Sequence, residues 1–311
     1  MKKTKFLKSI LACTLALSVI FSQMIFCQAS VSTAAAEKST VWDGTKAESF
    51  AGGSGTATDP YLIATAEQLY KMVEEHHTYD TSYGKYFKIT KDIYLNRVND
   101  GTPLAELWGK KNWLAGYGDT IAVASKTASF QGTLDGGGHT IYGLYVDGAA
   151  SAGLFPSISS YAVIENLHFD NALITGGSGF GGVIAGQAWY YTWQNAAKIT
   201  NCSVRNSTVG QWKNLEFAGG LIGNIKECSV TLSYCYSYNV NLSNWDASGI
   251  PGGLIGSAYA NSGTLKMNDC YSAGNFPTKS TLSKAICTNV YTDVAIPEGN
   301  TTAGVTVLTT E

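Results

Sequence analysis

Arginine stands at only two positions of this 311-residue chain, Arg97 and Arg205. Charged residues of every kind make up 14% of it, and the formal net charge is -2. Phosphate backbones are gripped by clustered Lys and Arg, so this composition argues against nucleic acid and against acidic polymers as partners. Proline is scarce, with 6 residues, whereas glycine is abundant, with 34. That balance excludes a disordered proline-rich linker and suits many short strands joined by tight turns. Beyond residue 26 there is no long apolar run, and therefore no membrane-spanning segment after the N-terminus. Of the 7 cysteines, Cys13 and Cys27 lie near the N-terminus. The others, Cys202, Cys228, Cys235, Cys270 and Cys287, are spaced by 26, 7, 35 and 17 residues, which matches neither a zinc signature nor a small disulfide framework. No metal and no cofactor is implied.

The N-terminus has its own logic. Lys2, Lys3, Lys5 and Lys8 lead into an apolar stretch from Ile10 to Phe26, followed by small residues through Ala34, Ala35 and Ala36. Basic, then apolar, then small is the order of a secretory signal peptide, expected over residues 1–36. A retained anchor is the competing reading, but the stretch is a little short of the ~20 residues that a spanning helix needs. Cys27 follows the bulky Phe26, which disfavours a lipidated cysteine.

What the chain does have is a repeat. Segments "IENLHFDN" from Ile164, "ITNCSVRN" from Ile199, "LSYCYSYN" from Leu232 and "MNDCYSAG" from Met267 follow one another at steps of 35, 33 and 35 residues. Between them fall "AGLFPSI", "GGVIAGQA", "GGLIGNI" and "GGLIGSA", with a third short stretch in "ALITG", "STVGQ" and "VNLSN". β-Branched and aromatic alternation punctuated by Gly and Asn makes these strands rather than helical repeats. A unit too small to bury its own apolar face must stack on its neighbours, so the expectation is an all-β solenoid with one continuous core. In such a parallel stack, aligned residues sit ~4.8 Å apart from coil to coil. Position four reads Leu167, Cys202, Cys235 and Cys270, a column of small apolar core residues rather than a redox site. Position eight reads Asn171, Asn206, Asn239 and then Gly274. Asn and Gly tolerate the left-handed backbone of a tight turn, and stacked amides can bond between coils, so an asparagine ladder of the parallel β-helix kind is expected.

"GGLIG", "GGVIA" and "AGLFP" resemble the GLUG-motif repeats of secreted and surface bacterial proteins. "WDG" at 42, "FAGGSGTATDPYLIATAEQLYKM" at 50, "KYFKITKDIYLN" at 85 and "FQGTLDGGGHTIYGLYV" at 130 are similar to the N-terminal part of the same proteins, in the same order. The resemblance implies a right-handed parallel β-helix, exported and usually part of a larger polypeptide. It implies no catalytic residues. On that basis residues 37–128 are read as an N-terminal capping region and 129–311 as the repeat-bearing β-helix, stopping where further sequence would be expected.

"TAEQLYKMVEEHH" starts with Thr65, offers Gln68 as a capping-box partner and spaces Leu69, Met72 and Val73 on one face, so it predicts a short amphipathic helix. Its expected role is to cover the first coil, whose edge would otherwise recruit another chain. "TLDGGGHTI" sets Asp135 near His139, an acid–base pair in principle, although its glycines fit a sharp turn better.

The candidate ligand site is aromatic. Trp212 and Trp245 each stand six residues after a ladder asparagine, with Lys213 and Asp246 beside them, and "AWYYTWQN" adds Trp189, Tyr191 and Trp193 at another corner. Indole faces can hold the apolar face of a sugar while nearby polar groups bond its hydroxyls. The same tryptophans could instead fold back as an apolar lid. Hydrolysis of a glycosidic bond wants two carboxylates ~5 to 9.5 Å apart. Asp170, Glu216, Glu227, Asp246 and Asp269 occupy scattered register positions and form no such pair in sequence. The expectation is therefore a secreted or cell-surface scaffold that adheres to cell-wall or host polysaccharide, with no nucleic-acid partner and no catalytic residue assigned. A polysaccharide-degrading hydrolase or lyase is the alternative, as is a spacer that displays a downstream domain of the same polypeptide.

Overall fold

The computed structural model describes residues 41–77, 81–98, 104–107, 109–114, 129–175, 179–189, 195–210, 215–242, 250–259, 264–275, 281–282, 285–292 and 305–307. All of them belong to one compact unit, Thr40–Glu311. Residues 1–36, read in sequence as a signal peptide, lie outside the described residues. Among those described, no helix is long and apolar enough to cross a membrane.

The chain is a parallel β-solenoid, with one α-helix among the described residues. Three sheets run along it, of 16, 4 and 5 strands. One coil shows the plan: Ala197–Thr200, a left-handed corner at Asn201, Ser203–Val209, then Phe217–Gly219 on the second sheet and Ile222–Lys226 on the third. The next coil repeats it with Val230–Ser233, Tyr236–Leu242, Ile250–Gly252 and Ile255–Tyr259. The register is the one the repeat predicts, because Ile164, Ile199, Leu232 and Met267 pair in turn on parallel strands.

Stacking equivalent residues builds the core. Leu134, Ile164, Ile199, Leu232 and Met267 form one buried column, and Phe155, Ala185, Ile222 and Ile255 form another. The paired glycines of the repeat have a specific job. A Cβ on Gly219 would lie 2.0 Å from the Ile222 carbonyl oxygen and 2.6 Å from the Gly256 nitrogen. One on Gly223 would lie 2.6 Å from both Gly181 N and Gly186 O. Here backbone packs on backbone with no room for a side chain, which is why "GGLIG" recurs on successive coils.

The helix, α1 (Ala66–His77), forms where predicted. Thr65 Oγ1 accepts the N–H of Gln68, and the Gln68 side chain reaches back to the N–H of Ala64, one residue beyond the usual capping box. Leu69, Met72 and Val73 are buried against the solenoid. Trp42, Tyr70 and Trp113 close the same junction, with ring centroids 5.0 to 5.3 Å apart. Parallel pairing begins inside the stretch read as the capping region, at Tyr61–Ile63 against Tyr86–Ile89, and Gly52 bridges Leu62 in antiparallel fashion along the outermost strand. That bridge covers part of an edge that would otherwise be open.

Candidate functional site

Two left-handed corners frame one outer face of the large sheet. Asn166, Asn201, Tyr234 and Asp269 hold φ between 51° and 56° at the first, and Asn171, Asn206 and Asn239 hold φ between 48° and 54° at the second. The second corner is the predicted asparagine ladder. Asn239 Nδ2 donates to Asn206 Oδ1 at 2.9 Å, but the rung below runs through Asp170, whose Oδ1 accepts from both Asn206 (3.0 Å) and Asn171 (3.2 Å). A charged acceptor outcompetes the Asn171 amide oxygen for the same donor. Gly274 does not top this ladder: it pairs with Val240, because the strand Leu265–Asn275 runs straight past the corner. The first corner carries a ladder absent from the sequence reading. Asn201 Nδ2 donates to Asn166 Oδ1 at 2.9 Å, and Asn166 Nδ2 donates to Asp135 Oδ1 at 3.1 Å.

Between the corners, one face of the large sheet carries two columns. The first reads Thr140, His168, Ser203, Tyr236, Tyr271 and Tyr291 on successive strands. The second, two residues further along, reads Tyr94, Tyr142, Asp170, Arg205 and Tyr238. With Tyr234 at the corner, residues 234, 236 and 238 place three tyrosines on a single coil, alternating with buried Cys235 and Ser237. Tyr234 is 62% exposed, Tyr238 55% and Tyr291 38%. Strand geometry sets the spacing of this strip at ~4.8 Å across strands and ~6.7 Å along them.

The lower part of the face is polar. His168 Nδ1 and Ser203 Oγ share a hydrogen bond of 2.8 Å. Burial, reinforced by the Arg205 charge, holds the His168 imidazole below its usual 6.5. Arg205 Nη2 pairs with Asp170 Oδ2 at 3.2 Å, as its register predicts. Tyr94 and Tyr142 stack at the bottom, 4.6 Å apart at 8°. Exposed phenol rings beside an ion pair and a neutral imidazole offer apolar faces, donors and acceptors on a flat surface. Among the described residues, no three His, Cys, Asp or Glu side chains converge as a metal site.

Of the aromatic site singled out in sequence, only Trp189 falls among the described residues. Trp212, Lys213, Trp245, Asp246, Tyr191 and Trp193 lie outside the described residues. Trp189 is half-buried, with the Lys226 ammonium 5.5 Å from its ring centroid and its Nε1 buried without a partner. Asp135 and His139 do not pair with each other. Asp135 binds Lys88 and Asn166, whereas His139 Nδ1 meets Asp92 Oδ1 at 3.3 Å. Cys202, Cys235 and Cys270 are buried free thiols in one column above Leu167. Hydrogen bonding with Cys202, together with burial, pushes the Cys235 thiol up to about 12, and bonding with Cys235 and burial raise Cys270 as well. Such thiols are inert packing groups. The tyrosine strip went unread in sequence although "YCYSY" signals it: aromatic residues at alternate positions of a strand whose intervening residues are core share the outer face.

No family model matches the chain. Halomucin of Haloquadratum walsbyi (strain DSM 16790 / HBSQ001) is 32% identical over 193 residues, which is 60% of this chain and 2% of that protein. The chain therefore spans 2% of the length of the curated relative it matches. Among solved structures, a Bacteroides ovatus protein provisionally described as an immunoglobulin A1 protease aligns over 84% of this chain and 82% of its own, at 19% identity and a TM-score of 0.40. At that score the overlap carries no inference about function.

Proposed function

We propose that this chain is an exported, surface-exposed β-helix that binds polysaccharide, non-catalytically, through the tyrosine strip. The observation that carries the reading is the set of Tyr234, Tyr236, Tyr238, Tyr271 and Tyr291 on one face of the large sheet, three of them well exposed. Rings of this kind bury the C–H face of a sugar while their hydroxyls and the neighbouring Arg205, Asp170 and His168 bond its polar edge. A rigid sheet holds them in place before the ligand arrives, which lowers the ordering cost of binding an extended chain. The N-terminal basic, apolar and small-residue order supports export, and the GLUG-like repeats and the similarity to a segment of halomucin support a place at the cell surface. Trp189, Tyr191, Trp193, Trp212 and Trp245, with Lys213 and Asp246, are proposed to extend the aromatic surface around the coil.

The test is a panel of cell-wall and host polysaccharides, read by affinity electrophoresis and by release of reducing ends, on the protein and on its Tyr234→Ala/Tyr238→Ala variant. Binding is expected, weakened at least tenfold in the variant, without product. Reducing-end release would replace the scaffold with a hydrolase or lyase. Absence of binding to every polysaccharide would leave a spacer for another domain.

A further inference from the structure

A groove of about 610 Å³ opens at the N-terminal end of the solenoid, away from the tyrosine strip. Two partly buried aromatic residues, Phe50 and Tyr61, make its floor, with the fully buried Phe87 beneath them. Phe50 and Tyr61 stack with centroids 4.7 Å apart, and Phe87 meets both, at 5.8 and 5.6 Å. The rim is charged: Glu48, Glu75, Lys71 and Lys85 all line it. Lys71 reaches across from α1, paired with Glu75, with its ammonium 5.6 Å from the Phe50 centroid.

The walls are fixed before any ligand enters. The Gln68 amide donates to the Ser49 carbonyl at 3.4 Å, and Ala51 N–H to the Leu62 carbonyl at 2.9 Å. Thr81 Oγ1 donates to the Glu75 carbonyl at 2.6 Å, tying the far rim to the end of α1. Gly53 sits at φ +83°, where a Cβ would strike the Pro60 carbonyl oxygen at 1.8 Å, so this wall turns tightly and only glycine allows it.

We infer that this groove is a second carbohydrate subsite, taking a neutral pyranose ring. The volume falls within the ~300 to 1,000 Å³ of small-molecule clefts. The charge balance selects the class of ligand. Two carboxylates and two ammoniums share the rim, so an anionic ligand would face Glu48 and Glu75 and a cationic one would face Lys71 and Lys85. A neutral polyol meets no like charge. Its hydroxyls donate to the carboxylates and accept from the ammoniums, bonds stronger than those between neutral groups, while its C–H face rests on the aromatic floor. A flat apolar ligand would strip water from four charged groups and return nothing to them. The inference stands on the groove's own residues, and its test keeps the two sites apart.

Saturation-transfer NMR on the intact protein with neutral methyl glycosides of glucose, galactose, mannose and N-acetylglucosamine, set against methyl glucuronide with its carboxylate free and against glucosamine, is the experiment. At least one neutral glycoside is expected to bind, more tightly than either charged sugar. Glu48→Gln/Glu75→Gln, which removes hydrogen-bond acceptance by charge but keeps shape, should weaken it at least fivefold. Tyr234→Ala/Tyr238→Ala should leave it unchanged, even if that variant loses polysaccharide. The inference is overturned if no glycoside binds, if a charged sugar binds best, if Glu48→Gln/Glu75→Gln changes nothing, or if the tyrosine variant abolishes the signal.

Discussion

Replacing Gly219 by alanine tests the account of the repeat at its tightest point. The new Cβ would sit 2.0 Å from Ile222 O and 2.6 Å from Gly256 N, where ordinary contact begins at 3.4 Å. The shortfalls are about 1.4 and 0.8 Å, and neither obstacle is a side chain that can swing aside. Relief requires a backbone shift within a stretch where Gly220 N–H bonds Gly253 O at 3.1 Å and Leu221 N–H bonds Leu254 O at 2.9 Å. Overpacking alone costs ~1–3 kcal/mol, and one or two weakened backbone bonds add ~1 kcal/mol each. The sum, ~2–5 kcal/mol, is a large part of the ~5–15 kcal/mol by which domains are stable. Gly52→Ala is the matched control, since its Cβ would only touch the Leu62 side chain at 3.6 Å and its backbone is not left-handed. There the reduced freedom of the unfolded chain stabilises by ~0.4–1 kcal/mol. Urea unfolding followed by tryptophan fluorescence reads both, with midpoints compared by the same probe because solenoids need not unfold in one step. A Gly219→Ala midpoint equal to that of Gly52→Ala would refute the claim that backbone contact dictates "GGLIG".

The chain has four histidines, and His168 is held below its usual pKa by burial and by Arg205. The unfolded chain therefore binds that proton more readily than the folded one, and the stabilisation present above pH 6.5 is lost as pH falls towards the folded value. Urea midpoints taken from pH 7.5 down to 5.5 should decline, and His168→Gln should flatten the decline; an identical slope in both proteins would remove His168 from the explanation. At the first corner, Asn201→Ala loses the amide bond to Asn166 and puts a Cβ residue at φ 51° without local compensation, which should cost ~2–3 kcal/mol. Asn201→Gly relieves the backbone but not the bond, so its urea midpoint should fall between the other two, and a glycine variant as unstable as alanine would show that conformation matters little there.

The coil length and register were legible because a parallel solenoid makes sequence alignment and spatial neighbourhood the same thing. Ile164, Ile199, Leu232 and Met267 align in sequence and pair in space for one reason, namely that each coil repeats its predecessor's path. The corner chemistry was only half legible. Asn at position eight announced a left-handed turn, yet position three holds Asn166, Asn201, Tyr234 and Asp269 in the same conformation, and a tyrosine at φ 56° breaks any residue-type rule. Tyr234 is held there by its neighbours above and below, including the bond from its own N–H to the Asn268 carbonyl at 3.0 Å. Tertiary stacking overrode local preference, and its effect was to turn a corner position into an exposed phenol ring.

That override bears on function. A ladder of small amides needs only Asn at a corner, and coils below Tyr234 supply it in Asn166 and Asn201. Where the ladder stops, the same corner and the strand after it turn aromatic together, at residues 234, 236 and 238, while the inward positions remain Cys235 and Ser237. Packing demands explain the inward residues, and ladder bonding explains the asparagines. Neither explains three tyrosines on one coil, continued as Tyr271 and Tyr291 on the next two strands. Exposing such rings to water contributes nothing to the core, and this is the feature on which the proposed binding rests. In sequence the aromatic candidates stand in insertions, and Trp193, Trp212 and Trp245 lie outside the described residues. The alternation within a strand, which needs the fold to say which side faces out, carries the face proposed here for binding.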